Sequence, residues 1–183
     1  MGCSTLYHLG KLGVSDAILL ERNKLTSGTT WHSAAQVRAL RNSQNLTRMI
    51  QYSVELYSQL EYETGQSVGW IQKGSLSIAT TMDRLVHIKR QEALANAYGL
   101  NARSISKAEA LERWPMMNGD DVLGAVWSPD DGRVSPSDVC AALIKAARKT
   151  DNQIFENCGV SAVLTKNGKV VGVETSAGTV MCD

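Results

Sequence analysis

The sequence has almost no excess charge of either sign, because 19 basic residues stand against 18 acidic ones and the net charge is +1. It therefore lacks the field of one sign that would attract nucleic acid or an anionic membrane. Long apolar runs are also lacking, since none approaches the roughly 18 residues that span a bilayer. No charged n-region followed by an apolar segment marks a secretory signal. These absences predict that neither nucleic acid nor a membrane is a partner.

Cysteine is scarce and dispersed, at positions 3, 140, 158 and 182, and no C-x-x-C pair occurs. This spacing argues against a zinc site or a disulfide scaffold and favours a reducing compartment. The sequence also lacks a Ser–His–Asp arrangement, metal-ligand spacing and a P-loop. It therefore predicts no metal site and leaves the catalytic residues unknown. The composition that is present, 43% hydrophobic and 20% charged, is ordinary for a globular chain with a real core.

The start of the chain has the pattern of half a βαβ unit. Residues 2–12 have helical spacing, with Leu6 and Leu9 on one side, and Gly13 ends the predicted helix. Residues 16–21 form a short apolar run, typical of a strand buried in a parallel sheet. Because helix and strand follow each other so closely, we expect a βαβ unit whose first strand is missing.

The middle of the chain mixes helices and strands. Residues 22–33 are a polar loop, and apolar residues between 46 and 60 then repeat at helical spacing. The pattern predicts a strand over 70–80, a helix over 82–98 and a strand over 122–129. Between the last two, Ser106 and Glu109 have the spacing of a capping box.

The end of the chain returns to strand–helix order. Ser135 and Pro136 open a predicted helix to about residue 150. A strand over 153–157 follows, and Asn-Gly at 167–168 predicts a hairpin. With strand–helix units at both ends and mixed α and β material between them, the sequence predicts an α/β nucleotide-binding domain interrupted by an insertion.

Gly2 and Glu21 are the remnant of a dinucleotide fingerprint. A G-x-G-x-x-G turn precedes an acidic residue by roughly 20 positions, and here only a candidate third glycine, Gly2, is followed by an acid 19 positions on. Glu21 at a strand end would accept hydrogen bonds from ribose hydroxyls and favour FAD or NAD over NADP. A plain helix start and an ordinary strand-end glutamate fit the same residues.

The loop at 25–33, L-T-S-G-T-T-W-H-S, places a glycine among small hydroxyl residues. Its backbone N–H groups and hydroxyls could serve a pyrophosphate or a flavin ring, and a solvated loop is the other interpretation. His32 lies in this loop, where a neutral surface histidine fits equally well. The acidic pairs at 120–121 and 130–131 are interpreted as solvated turn residues.

Taken together, these strings resemble the sarcosine and dimethylglycine dehydrogenase family. The resemblance begins with G-C and L-Y-H-L in the first helix, continues through L-L-E-R at 19–22 and is most specific in T-S-G-T-T-W-H at 26–32. It goes on through E-T-G at 63–65, P-D-D-G at 129–132 and G-V-E-T at 172–175, so it covers essentially the whole chain.

The resemblance implies a Rossmann-like FAD-binding domain, here truncated with its first strand missing, interrupted by a mixed α+β substrate domain. We place the first part of the FAD domain at residues 1–65, the partial substrate domain at 66–133 and the truncated returning part at 134–183. It implies an FAD-dependent dehydrogenase of one-carbon metabolism, in which an N-methyl amine loses a hydride to flavin. Electron-transfer flavoprotein would be the acceptor.

The resemblance also implies which residues meet the cofactor. His32 would carry FAD covalently, Glu21 and Arg22 would meet the ribose, and the backbone of Val160 would meet the adenine. The expected cofactor-binding set is Gly2, Glu21, Arg22, Leu25, Thr26, Ser27, Gly28, Thr29, Thr30, Trp31, His32, Ser33 and Val160. A mitochondrial matrix location would follow in a eukaryote and a cytoplasmic one in a bacterium.

The departures from the family pattern indicate a fragment of a longer enzyme that is inactive alone. The first strand and two fingerprint glycines are missing, and Ser33-Ala34-Ala35 stands where the family has Ala-Ala-Gly. A tetrahydrofolate-binding portion would lie in the missing C-terminal part. The alternative is a non-catalytic protein that resembles the pyruvate dehydrogenase phosphatase regulatory subunit, which lacks the histidine in this loop. Monomeric sarcosine oxidase fits less well, because the W-H string is not its anchor.

Overall fold

The computed structural model describes residues 1–182, which form two compact units. The first unit comprises residues 1–34, 60–68 and 136 onward, and the second comprises 35–59 and 69–135. In chain order the elements are α1 (Gly2–Lys11), β1 (Ile18–Leu20), β2 (Gln36–Val37), α2 (Gln44–Thr64), β3 (Ser75–Ala79), α3 (Met82–Ala97), β4 (Arg103–Ile105), α4 (Lys107–Arg113), β5 (Gly124–Ser128), β6 (Gly132–Arg133), α5 (Pro136–Ala147), β7 (Gln153–Phe155), β8 (Val160–Lys166), β9 (Lys169–Thr175) and β10 (Gly178–Met181). Among residues 1–182, no helix combines the length and the apolar character that a membrane span requires.

A parallel pair of strands, β1 and β7, organises the first unit. Ile18 pairs with Gln153, and Leu20 with Phe155. The two segments continue side by side beyond the strands, because Asn157 N donates to Asn23 O at 2.8 Å. A buried asparagine, Asn152, stabilises the opposite end: its Oδ1 accepts from Ala17 N at 2.9 Å and its Nδ2 donates to Val14 O at 3.0 Å.

Helix α1 packs against α5 through a stripe at helical spacing. The buried residues of α1 are Cys3, Leu6, Tyr7 and Gly10. Among them, the Cys3 thiol is hydrogen-bonded to the Cys140 thiol of α5, and this contact raises the pKa of Cys3 and lowers that of Cys140 to about 7. Two thiols that are far apart in the sequence are therefore neighbours in the fold.

The last three strands form an antiparallel meander in the order β10-β9-β8. Asn167 and Gly168 turn between β8 and β9 with φ angles of 54° and 76°. Positive φ at both central residues is the geometry of a type I′ hairpin turn. The predicted hairpin is therefore confirmed.

The second unit is built on the antiparallel sheet β3-β5-β4. Helix α3 packs against this sheet through a cluster of Ala79, Ile88 and Val126. Helix α4 covers Ile105 and Ala125 with its buried Ala110. The capping box predicted for α4 is confirmed, because the Ser106 and Glu109 side chains each bond the other residue's backbone N–H.

The strand predicted over 70–80 is wrong in its first half. Residues before Ser75 are not in the strand, although Ile71 makes an isolated bridge to Arg133. Gly74 has a φ of 72°, and a Cβ there would lie 2.1 Å from Cη2 of Trp127. Gly74, in the left-handed conformation beside the Trp127 indole, is therefore not part of the strand, which begins at Ser75. The two-residue strands β2 and β6 and the short β4 were not predicted.

Candidate functional site

The expected cofactor residues all lie in the first unit. Gly2 begins α1, Glu21 and Arg22 directly follow β1, and the loop at 25–33 comes next. Val160 begins β8. The fold brings Arg22 beside Gly159, the residue before Val160, because a Cβ built on Gly159 would lie 3.5 Å from Arg22 Cγ. Residues nearly 140 positions apart thus meet beyond the parallel pair.

Gly2 lies where α1 approaches β1 closely, so that a larger residue there would have to displace the end of the Leu19 side chain. A Cβ built on it would be 2.7 Å from Leu19 Cδ1. The first-turn N–H groups of a helix have no partner within the helix, and they carry the positive end of its dipole. Met1 at the N-cap makes no side-chain cap hydrogen bond to them. The start of α1 therefore offers backbone N–H groups at a glycine that packs closely against Leu19 of β1.

The Glu21 carboxylate is half-buried and is fixed at the end of β1. Glu21 N donates to Phe155 O, and Cys158 N donates to Glu21 O, each at 2.9 Å. Its Oε1 accepts from Asn23 N at 2.8 Å. These three bonds hold an acid at the carboxyl end of a parallel strand, where such sheets bind their ligands.

Glu156, a residue outside the set expected from the sequence, fixes the first residues of the loop. Its Oε1 accepts from Leu25 N at 2.7 Å, and its Oε2 accepts from Lys24 Nζ at 3.2 Å. The hydrogen bond from the Leu25 amide, followed by that from Lys24, holds the pKa of Glu156 below its usual value. Its position directly after the apolar strand β7, as Glu21 follows β1, was the signal available in the sequence.

Thr26 turns the loop away from the strands. It has a φ of 69°, and its Oγ1 accepts from Ser137 Oγ at 3.5 Å. Ser137 belongs to the first turn of α5. The loop is therefore held at its beginning by groups that come from residues 137 and 156 of the returning chain.

The far part of the loop is exposed. Trp31 is 60% exposed, and its ring lies 4.1 Å from the His32 ring, centroid to centroid, with the planes at 33°. Ser33 N donates to Thr30 O at 3.2 Å, which closes a turn around the two rings. Ser27, Gly28, Thr29 and Ser33 are also exposed. The loop thus presents hydroxyls, an indole and an imidazole on one short turn-rich segment.

A cavity of about 590 Å³ lies elsewhere in the first unit, on the face of β1 that carries Ile18 and Leu20. Gly172, Val173 and Val180 of the meander line its other side. Leu19, next in the strand, points instead to α1, where Gly2 lies. None of the expected cofactor residues lines this cavity. The cavity is therefore distinct from the candidate cofactor site at the end of β1.

The residues at the strand end fit a dinucleotide cofactor. The close approach at Gly2 and the N–H-rich start of α1 suit a pyrophosphate, and the carboxylate of Glu21 suits ribose hydroxyls. The FAD dependent oxidoreductase family model matches residues 1–183, and the chain belongs to this family. The expected α/β class and the flavoprotein character of the family are confirmed.

Relatives that match nearly the whole chain include two kinds of dehydrogenase and a regulatory protein. Mitochondrial sarcosine dehydrogenase of Mus musculus is 41% identical over 98% of the chain, which corresponds to 20% of that protein. The mitochondrial pyruvate dehydrogenase phosphatase regulatory subunit of Mus musculus is also 41% identical, over 100% of the chain and 21% of that protein. Mitochondrial dimethylglycine dehydrogenase of Rattus norvegicus is 34% identical over 98% of the chain and 21% of that protein. The chain thus spans about a fifth of these relatives.

A solved structure shares the fold. L-proline dehydrogenase from P. horikoshii superposes with a TM-score of 0.91 and 26% sequence identity, covering 98% of this chain and 47% of that one. The identity to sarcosine dehydrogenase and to the phosphatase regulatory subunit is equal, so overall similarity does not separate an enzyme from a regulatory protein.

Proposed function

We propose that this chain forms part of the FAD-binding region of a dehydrogenase that oxidises an N-methyl amine, such as sarcosine or dimethylglycine. The observation that carries the proposal is the order of groups beyond β1: the Glu21 carboxylate at the strand end, then a loop with His32 only a few residues on. The relatives named for sarcosine and dimethylglycine support the substrate class.

Different residues of the chain would bind different parts of the cofactor. The start of α1 at Gly2 would hold the pyrophosphate, because its amides and dipole favour negative charge. Glu21 and Arg22 would hold the adenosine ribose, and the backbone of Val160, which follows the Gly159 that Arg22 approaches, would meet the adenine. The loop at 25–33 would follow the cofactor toward the flavin. The domain bounds 1–65, 66–133 and 134–183 stay a prediction.

His32 is the proposed covalent anchor of the flavin. Its ring is exposed, and it lies against Trp31, which limits its orientation. A neutral imidazole nitrogen is nucleophilic, so the ring would bond to the flavin's ring methyl once the loop holds it there. The methyl and the imidazole would each lose one proton, and the flavin would take up the two electrons, which its electron acceptor would then remove. When bound, FAD supplies the acceptor for the hydride that leaves the substrate. The chain's own residues bind and orient it.

The partners proposed for the whole protein follow from the same assignment. The substrate is a small N-methyl amine, the electron acceptor is an electron-transfer flavoprotein, and tetrahydrofolate would be bound outside this chain. Because these relatives are named as mitochondrial, a matrix location is proposed for a eukaryotic source, and the cytoplasm for a bacterial one.

The alternative is a non-catalytic regulatory protein, and the 41% identity to the phosphatase regulatory subunit favours it as much as the first proposal. His32 distinguishes the two, since the resemblance gives the regulatory protein no histidine in this loop. The test is turnover of sarcosine and dimethylglycine by the intact protein with an artificial electron acceptor. Substrate-dependent reduction is expected. A protein that holds flavin but reduces no acceptor with either amine would favour the regulatory function.

A further inference from the structure

We propose that Glu156 is a positioning residue for the flavin: its carboxylate sets the path of the loop that carries Trp31 and His32. This inference rests on the proposed function of that loop. It assigns a role to a residue in the returning part of the chain, 124 positions after His32 by the numbering.

The hydrogen bonds between the segments that continue β1 and β7 show what the Glu156 carboxylate does for the loop. Backbone bonds join the two segments at Glu21 with Phe155 and at Asn23 with Asn157. At Leu25, two residues further, the amide donates to the Glu156 side chain at 2.7 Å. The carboxylate thus takes the place of the next backbone acceptor, at the point where the chain leaves the strands.

The same carboxylate also fixes the direction in which the loop departs. Its second oxygen accepts from Lys24 Nζ at 3.2 Å, so one side chain holds two consecutive residues. Thr26, the next residue, has the left-handed φ of 69°. Because a change of one dihedral angle near the base displaces the residues beyond it, the Glu156 contacts influence the position of the His32 ring.

An ordinary surface ion pair would not have these features. The Lys24 and Glu156 side chains are 67% and 33% exposed, so the pair alone contributes little to stability. The Leu25 amide contact is different, because it acts on the backbone of the loop. The effect of losing it should therefore appear in the geometry of the bound flavin more than in the melting temperature.

The experiment compares Glu156→Ala and Glu156→Gln with the wild-type intact protein, each prepared both as apoprotein and with its flavin. Glutamine keeps a carbonyl acceptor for the Leu25 amide but cannot pair with the Lys24 charge. Glu174→Ala, an exposed acid on β9 of the same unit, is the matched control. Three quantities are measured for each: the rate of flavin incorporation, the visible circular dichroism of the bound flavin and the melting temperature.

We expect Glu156→Ala to incorporate flavin roughly two- to fivefold more slowly, the range of an exposed charge-assisted contact, with an altered flavin dichroism. Glu156→Gln should lie between it and the wild type, and Glu174→Ala should match the wild type. Wild-type incorporation and dichroism in both Glu156 variants overturn the inference while the flavin site stands. A wild-type protein without flavin overturns the proposed function as well. Should the alanine variant fail to fold, Glu156→Met, which keeps the length of the side chain and removes both acceptor oxygens, decides by the same two flavin measurements.

Discussion

Gly2 and Leu19 are in such close approach that a methyl group on the first would lie 2.7 Å from Cδ1 of the second. This contact is part of the packing between α1 and β1. It also places the start of α1 beside the strand whose end carries Glu21. The absence of a side chain at Gly2 therefore bears both on the packing of α1 and on the proposed cofactor contact.

Gly2→Val should both destabilise the chain and impair flavin incorporation. The added carbons must displace Leu19 or move α1, and overpacking of this kind costs about 1–3 kcal/mol. Chemical denaturation gives the free energy of unfolding. Gly28→Val is the control for stability, since a Cβ at Gly28 meets nothing within 4 Å. Equal stabilities of the two variants would show that the Gly2 contact is not tight in solution.

Tyr7→Phe should lower the free energy of unfolding by about 0.5–1.5 kcal/mol, the contribution of one hydrogen bond. Tyr7 is 2% exposed, and its hydroxyl donates to Glu63 Oε2 at 2.8 Å, which joins α1 to the end of α2. Tyr62→Phe is a matched control, because Tyr62 is 97% exposed. A thermal melt of both variants is sufficient. If Tyr62→Phe lowered the free energy of unfolding by the same amount, the effect in Tyr7→Phe could not be assigned to the Glu63 hydrogen bond.

The sequence predicted elements well where one local signal decides them. The type I′ turn at Asn167-Gly168 and the capping box at Ser106 need only adjacent residues, and both are confirmed. The short strand β2 was missed, because its pairing with β6 joins residues almost 100 positions apart. Glu156 was missed for the same reason. Its role depends on the register of β7 beside β1, which local pattern does not specify.

Glu21→Ala in the intact protein should slow the incorporation of flavin into apoprotein. Hydrogen bonds to a charged acceptor contribute about 1.5–3 kcal/mol, so loss of the proposed ribose contacts should slow flavin incorporation strongly. The rate of incorporation is the appropriate measurement, since a covalent flavin has no simple dissociation constant. Asp16→Ala, an exposed acid just before β1, is the control. Unchanged incorporation in Glu21→Ala removes this residue from the site.

The stability difference between wild type and Glu109→Gln should depend on pH in one direction. The Ser106 backbone N–H, and then its hydroxyl and Arg103, hold the pKa of Glu109 below its ordinary value of 4.5. A lowered folded-state pKa adds stability that is present above the unfolded pKa and is lost as pH falls through the folded one. Urea unfolding from pH 6 downward should show the difference shrinking below about pH 4.5. A difference that grows on acidification would contradict the assignment.

His32→Ala should abolish covalent flavin while leaving the protein folded. The exposed ring lies on the same loop that Glu156 anchors, so its removal takes away a nucleophile and no buried contact. Acid-denatured and washed wild-type protein should stay yellow and fluoresce on a denaturing gel, and the variant should not. His87→Ala, an exposed histidine on α3, should keep the fluorescent band. If the wild type releases all its flavin on denaturation, His32 is not the anchor. That result would favour the alternative of a regulatory protein, which the 41% identity to the phosphatase regulatory subunit also supports.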